Sequence, residues 1–119
     1  MKKAFDVDDW NESTTFLSEK DIESRCKAKA RKAGWWVRKF FSPKRTAVPD
    51  DIFAKEGTVF FVEFKAPGKT ATEKQREEHK LMRKAGLVVY VCDDIEAFDG
   101  ILDAEEERAI EYRDFFPPL

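Results

Sequence analysis

The sequence predicts an α/β fold in which a small mixed β-sheet carries helices on its faces. Segments 58–65 and 87–92 are rich in Val, Phe and Tyr and flank a helical segment, 72–85. They form a β-α-β unit, whose strands are expected to run parallel with a right-handed crossover. A further strand, 51–54, precedes the unit through a turn that contains Gly57, which predicts an antiparallel hairpin. Parallel and antiparallel neighbours together make the sheet mixed.

The remaining elements complete the order α-β-β-β-α-β-α. Ser18 is suited to cap the first helix, and Gly34 is suited to end it. The aromatic segment 35–41 predicts the first strand. After the last strand, which we expect to be buried, segments 94–100 and 103–113 predict two short helices.

Length and composition exclude several classes of protein. The 119 residues correspond to one domain, with a core at about 18–98 and an acidic helical extension at 99–119. With 39% charged and 42% hydrophobic residues, the chain is neither disordered nor membrane-embedded, and no run of about 18 apolar residues is present. The N-terminus has no apolar signal segment, and the two cysteines, Cys26 and Cys92, fit no metal or disulfide pattern. We therefore expect a cytoplasmic protein.

The net charge of −2 conceals two segments of opposite sign. Segment 20–45 has ten Lys or Arg and two acids, whereas segment 93–119 has ten acids and two Arg. A basic segment within one domain is typical of a protein that binds a phosphate backbone, although such charges can also simply solvate a helix face. The candidate DNA contacts are Lys39, Lys44, Arg45 and Lys69.

Two carboxylates and a lysine stand at spacings that suggest chemistry. Asp50 follows a proline, and Glu63 comes thirteen residues later, two residues before Lys65. Because side chains alternate along a strand, Glu63 and Lys65 share one face. The hairpin turn pairs residue i with 112 − i or 113 − i, and only the second register places Asp50 and Glu63 together.

Two neighbouring carboxylates repel each other unless a cation lies between them. Hard oxygen ligands suit Mg²⁺ or Mn²⁺, and a metal held in this way activates water and neutralises charge on a phosphate. Lys65 could position or help to deprotonate that water, or stabilise the developing charge. The spacing alone leaves these roles open.

This pattern resembles that of the PD-(D/E)xK nuclease superfamily. The longer segment 42–96 resembles the VRR-NUC (virus-type replication-repair nuclease) branch, in particular its compact stand-alone phage and prophage versions, and with the first helix the resemblance covers about residues 18–98. It departs from the usual pattern at Asp51, where many relatives carry Arg, and at Phe64, where an aliphatic residue is commoner. The matching pieces are Lys39-Phe40, Ser42-Pro43, Val48-Pro49-Asp50, Val62-Glu63-Phe64-Lys65-Ala66-Pro67-Gly68, Gln75 and Gly86.

The resemblance implies a restriction-endonuclease-like fold and an Mg²⁺- or Mn²⁺-dependent endonuclease. Asp50, Glu63 and the main-chain carbonyl of Phe64 would hold the metal, and Lys65 would be the catalytic lysine.

The family also uses a glutamate on its first helix, for which this chain offers Glu23 and Glu19. We favour Glu23, because its distance from Gly34 is closer to that in archaeal Holliday-junction resolvases, while Glu19 fits the start of the VRR-NUC helix. The family glutamine maps to Gln75, which serves equally well as the capping-box partner of Thr72.

The resemblance further implies a homodimer that cuts four-way, branched or flap DNA during replication, recombination or repair. A non-catalytic DNA-binding module on the same fold is the alternative, but such a module would tend to lose the Asp50, Glu63 and Lys65 set. A sequence-specific restriction nuclease is disfavoured, because the chain has no extra target-recognition region. His79 is expected to be a solvated helix residue, and the apolar tail 115–119 a docking or dimer-contact segment.

Overall fold

A computed structural model of the protein describes residues 17–115, so the interpretations of residues 1–16 and 116–119 lie outside the described part. Its elements follow the predicted order. They are α1 (Glu19–Lys32), β1 (Trp36–Lys39), β2 (Asp51–Lys55), β3 (Thr58–Phe64), α2 (Glu73–Lys84), β4 (Val89–Cys92) and α3 (Ile95–Phe115).

The four strands form one mixed sheet in the order β1-β2-β3-β4. The first three are antiparallel neighbours, and β4 is parallel to β3, as the β-α-β unit predicts. Asp51 pairs with Val62 and Lys55 with Thr58, which confirms the 113 − i register. The prediction that β4 is a buried strand is wrong at its outer side, because β4 is an edge strand and Val91 is 39% exposed.

Capping boxes fix the start of two helices. The Ser18 hydroxyl accepts from the Asp21 N–H, and the Asp21 carboxylate accepts from the Ser18 N–H. Thr72 and Gln75 make the same reciprocal pair at α2. Each box satisfies two N–H groups that the first helical turn leaves without partners.

The helices cover both faces of the sheet, so the protein has three layers, with the sheet in the middle. Helices α1 and α3 pack on one face over the main core, in which Phe53 and Phe60 stack with ring centroids 4.8 Å apart. Helix α2 packs on the other face over a smaller cluster built around Phe61 and Met82. Even-numbered residues of β3 therefore face α1 and α3, while odd-numbered residues face α2. This alternation places Glu63 on the α2 face.

The chain after β4 forms one helix of 21 residues, α3, and the prediction of two short helices is wrong. Gly100 lies within this helix, where a Cβ would meet nothing within 4 Å. Phe98, Leu102, Glu105 and Ala109 are the buried residues of α3, and their spacing of four, three and four puts them on one stripe. Burying this stripe outweighs the cost of about 1 kcal/mol of a helical glycine.

Within residues 17–115, none of the helices is long and apolar enough to cross a membrane. Cys26 and Cys92 are both buried free thiols.

Candidate active site

The residue before β2 and a residue near the end of β3 bring two carboxylates together. Asp50 immediately precedes β2, and continuing the 113 − i register places it opposite Glu63. The Asp50 carbonyl accepts from the Phe40 N–H at 2.8 Å, and its Oδ2 accepts from the Phe64 N–H at 2.8 Å. Asp50 is therefore fixed between β1 and β3 by main-chain groups rather than by another side chain.

Glu63 is buried and faces α2. Its exposed fraction is 2%, and its Oε2 lies 3.8 Å from the Lys65 Nζ and accepts from the Gln75 Nε2 at 3.1 Å. The other oxygen, Oε1, is buried and receives no hydrogen bond from the described residues. A buried carboxylate oxygen without a donor is costly, so this site is suited to receive a cation or another positively polarised group.

The charges of the two carboxylates are only partly compensated, by Lys65 and by the Phe64 N–H. Burial and, after it, the charge of Asp50 raise the pKa of Glu63 to about 8, against the effect of Lys65. Burial also raises the pKa of Asp50, although the Phe64 N–H opposes this shift. Both shifts have the sign expected when two acids share a buried site without a cation between them.

The ligands available here are all hard oxygens, which suits Mg²⁺ or Mn²⁺. Within residues 17–115, no three His, Cys, Asp or Glu side chains come together as a metal cage. The predicted set of Asp50, Glu63 and the Phe64 carbonyl needs only two side chains, and Mg²⁺ usually keeps several waters.

The two glutamates of α1 have different surroundings. The Glu23 Oε2 lies 2.9 Å from the Lys39 Nζ and 3.6 Å from the Lys27 Nζ. Glu19 is exposed, and its charge contributes to the raised pKa of Glu63. The charge of Glu23 instead contributes to the raised pKa of Asp50.

The candidate DNA contacts do not form a single group. Lys39 pairs with Glu23, and Arg45 forms an ion pair with Glu78 of α2. Lys44 and Lys69 are exposed. Lys44 and Arg45 line one cleft together with residues of α2, while Lys69 lies in the loop after β3.

Two features of the site were not predicted. Asp51 is completely buried on the α1 face, with its Oδ1 2.9 Å from the Lys27 Nζ, and burial followed by its contact with Glu23 raises its pKa to about 7. Side chains alternate along β2, so Asp51 points away from Asp50 and toward α1, and this alternation is the sequence signal for its contact with that helix. The second feature is the buried state of His79, which is 1% exposed and not solvated as predicted.

Comparisons with known proteins bear on this arrangement. No protein-family model matches the sequence. The chain is 40% identical over 78 residues to "Putative nuclease p44" of Acyrthosiphon pisum secondary endosymbiont phage 1. These 78 residues span 65% of this chain and 84% of that protein. It also superposes on a solved VRR_NUC domain with a TM-score of 0.66 and 26% identity, covering 71% of this chain and 94% of that domain. The chain belongs to the VRR-NUC family.

Membership in the VRR-NUC family confirms the predicted restriction-endonuclease-like fold class. The four-stranded mixed sheet with helices on both faces is thus the VRR-NUC fold, and Asp50, Glu63 and Lys65 lie together at one end of its central strands.

Proposed function

We propose that this VRR-NUC protein is an Mg²⁺- or Mn²⁺-dependent endonuclease that hydrolyses phosphodiester bonds in DNA. The observation that carries the proposal is the pairing of half-buried Asp50 with buried Glu63, with Lys65 beside Glu63 and one glutamate oxygen without a donor among the described residues. Two adjacent acids that are only partly compensated, one of them buried, are typical of a functional site rather than of a purely structural one.

Each side chain has a role that follows from its contacts. Asp50, Glu63 and the Phe64 carbonyl would hold the metal, which when bound supplies an activated water and neutralises charge on the phosphate. The Lys65 ammonium, 12% exposed and 3.8 Å from Glu63, is placed to orient water or to stabilise negative charge on the phosphate. Gln75 positions Glu63 through its hydrogen bond to Oε2.

For the helix glutamate we propose Glu19 rather than Glu23. The Glu23 carboxylate is held by two lysines, so recruiting it would break two ion pairs. Glu19 is exposed, and among the described residues it has no ion pair to lose. This reverses the preference drawn from sequence spacing, and the variants Glu19→Gln and Glu23→Gln test it directly: the first should slow cleavage more.

The finer features of the proposed activity rest on the resemblance and on the phage relative. We propose four-way, branched or flap DNA as substrate, a homodimer whose two-fold axis matches that of a four-way junction, and action in the bacterial host cytoplasm. Lys44, Arg45 and Lys69 are proposed to contact the DNA backbone, because all three are exposed cations that can neutralise phosphates.

A cleavage assay on linear, flap, splayed and four-way DNA with Mg²⁺ or Mn²⁺ tests the function. Glu63→Gln keeps the size of the side chain but removes its charge, and we expect cleavage to fall by at least about 100-fold while DNA binding persists. Glu77→Gln makes the same change at an exposed position of α2 and is the control. Removing the metal with a chelator should also stop cleavage.

Full cleavage by Glu63→Gln would overturn the site assignment. A wild-type protein that binds these DNAs but cuts none of them with either metal would instead be a non-catalytic DNA-binding module.

A further inference from the structure

A basic groove runs along the side of α1 that faces β1. It is a cleft of about 280 Å³ lined by Lys20, Glu23, Ser24, Lys27, Arg31 and Lys39. We refer to it as the α1 groove. None of these residues except Lys39 was among the candidate DNA contacts.

The groove is built by helical periodicity. Five of its residues belong to α1, and four of these, at positions 20, 24, 27 and 31, follow one another at spacings of four, three and four, which places them on a single face of the helix. The last residue of β1, Lys39, closes the other side. The cations are therefore held at defined positions by two packed elements, unlike charges scattered over a solvated surface.

Ion pairs leave the α1 groove with unbalanced positive charge. Lys27 is committed to the buried Asp51 at 2.9 Å, and Lys39 to Glu23 at 2.9 Å. Lys20 and Arg31 are both exposed, and neither has a carboxylate partner within residues 17–115. Arg31 is nevertheless oriented, because its Nη2 lies 3.4 Å from the Val37 carbonyl.

The opposite side of α1 is treated differently. There, Lys29 pairs with Asp99 of the acidic helix α3 at 2.8 Å. The acidic segment thus neutralises one flank of α1 and leaves the flank toward β1 positive. The basic segment therefore contains two kinds of cation. Lys29 is neutralised by an acid of α3, whereas Lys20 and Arg31, on the flank toward β1, are not neutralised by any described residue.

Helix α1 and Glu63 lie on opposite faces of the sheet, but the α1 groove meets the candidate active site where β1 ends and β2 begins, and the charges of Glu23 and Lys39 both act on Asp50. Lys39 lies opposite Asp51 in the β1–β2 pairing, and the next residue, Phe40, is hydrogen-bonded to Asp50. A polyanion lying across the ends of β2 and β3 would continue into this groove.

We propose that the α1 groove binds the sugar-phosphate backbone of the DNA beside the scissile strand, with Lys20 and Arg31 contacting phosphates and the Ser24 hydroxyl available as a hydrogen-bond donor. The inference rests on the proposed nuclease function but concerns binding, which can be measured without cleavage. The contacts carry no base information and therefore strengthen binding to any DNA sequence.

The test is the salt dependence of DNA binding by the double variant K20Q/R31Q. Fluorescence anisotropy with a labelled duplex, without divalent metal and from 50 to 200 mM salt, gives the slope of log K against log salt concentration. The slope is expected to become shallower by about 0.9 for each phosphate contact that is lost. The matched control is K80Q/K84Q, which removes two exposed cations from α2 and should leave the slope unchanged. R31K keeps the charge and should retain the wild-type slope.

An unchanged slope in K20Q/R31Q, or an equal change of slope in K80Q/K84Q, would overturn the proposal that the α1 groove binds the DNA backbone. The cleavage assay separates this result from failure of the proposed function. If the wild-type protein cuts DNA and K20Q/R31Q keeps the wild-type slope, only DNA binding by the α1 groove is contradicted. If the wild-type protein cuts no DNA and K20Q/R31Q has the shallower slope, only the proposed nuclease activity is contradicted. Because Lys20 and Arg31 are exposed, equal melting temperatures are expected and exclude unfolding as the cause.

Discussion

Gln75 makes two hydrogen bonds that serve different purposes. Its Oε1 accepts from the Thr72 N–H at 2.9 Å and completes the cap of α2, and its Nε2 donates to the Glu63 Oε2 at 3.1 Å. The sequence left open whether this residue caps the helix or serves the site, because one amide can satisfy either demand. In the structure the same amide caps α2 and donates to Glu63, so the start of α2 places a donor beside this carboxylate.

Substituting Gln75 separates the two roles. Gln75→Glu keeps an oxygen for the Thr72 N–H but places a carboxylate against Glu63, so we expect cleavage to fall about 10- to 100-fold with the cap retained. Gln75→Ala should lose both and cost about 1 kcal/mol of unfolding free energy as well. Cleavage rates and denaturant unfolding check this, with Thr72→Ser as the control that keeps the cap. Wild-type cleavage by Gln75→Glu would exclude a positioning role.

His79 gives the fold a pH dependence of known sign. Burial lowers its pKa, and the neighbouring charges of Arg83 and Lys65 lower it further, against the effect of Glu78. The unfolded chain therefore takes up a proton near pH 6.5 while the folded protein resists it. Stability from this group is complete above that pH and is lost as the pH falls through the folded pKa.

The variant His79→Leu should remove this contribution. We expect the difference in unfolding free energy between wild type and variant to change below pH 6.5, by at most about 1.4 kcal/mol per pH unit, with the wild type losing more. Above pH 7.5 the difference should be constant, which is the internal control. Taking a difference matters because Asp51 and Glu63, with raised pKa values of about 7 and 8, act with the opposite sign. Parallel pH profiles would contradict a neutral buried imidazole.

At the level of elements, a feature could be predicted from the sequence wherever the local sequence signal and the tertiary packing favoured the same structure. The Ser18 cap of α1, the capping box of α2 and the parallel β3–β4 pair follow from such agreement, whereas the sequence left two hairpin registers open and did not predict the Ser18–Asp21 box. Helix α3 shows where it was insufficient, because Gly100 is a local stop signal that long-range packing overrides. The position of β4 at the sheet edge, and with it the exposure of Val91, likewise depends on strand order rather than on local sequence.

Gly100 is therefore a site where the fold can be stabilised. A Cβ at this helical position meets nothing within 4 Å, so Gly100→Ala should raise the unfolding free energy by about 0.5–1 kcal/mol. Gly86→Ala is the matched control: its surroundings are equally open, but its φ of +94° strains an L-residue, so we expect a loss of about 1 kcal/mol. Urea unfolding measures both. A destabilised Gly100→Ala would mean that α3 requires the glycine.

At the scale of the whole molecule, the basic and acidic segments meet through an ion pair between Lys29 and Asp99 of α3. Lys55, which lies outside the basic segment, binds Glu106 of the same helix, and α3 packs on the face of the sheet opposite Glu63. The acidic helix is thus a structural layer directed away from the candidate site. The sequence showed the two segments and their charges, but which lysines are neutralised depends on three-dimensional packing.

Glu106 fastens this layer to the sheet. One of its carboxylate oxygens, Oε1, accepts from the Trp35 Nε1 at 2.7 Å and from the Lys55 Nζ at 2.8 Å, and Lys55 also donates to the Ala33 carbonyl. A single side chain therefore joins α3 to the segment after α1 and to the end of β2. The last turns of α3 continue this attachment, with Arg113 pairing with Glu56 at 3.2 Å beside the hairpin turn.

Removing the Glu106 carboxylate should loosen the acidic layer without affecting the site. Glu106→Ala leaves the buried indole N–H of Trp35 without an acceptor, so we expect a loss of about 1–3 kcal/mol of unfolding free energy. Glu106→Gln keeps an acceptor oxygen and should lose less, and Glu107→Gln, which makes the same charge change on the exposed side of α3, should lose almost nothing. Because α3 lies on the face away from Glu63, the folded fraction of each variant should keep the wild-type DNA affinity and cleavage rate. A Glu106→Ala protein that stays as stable as wild type but binds DNA more tightly would instead show that the acidic helix lies across the DNA path.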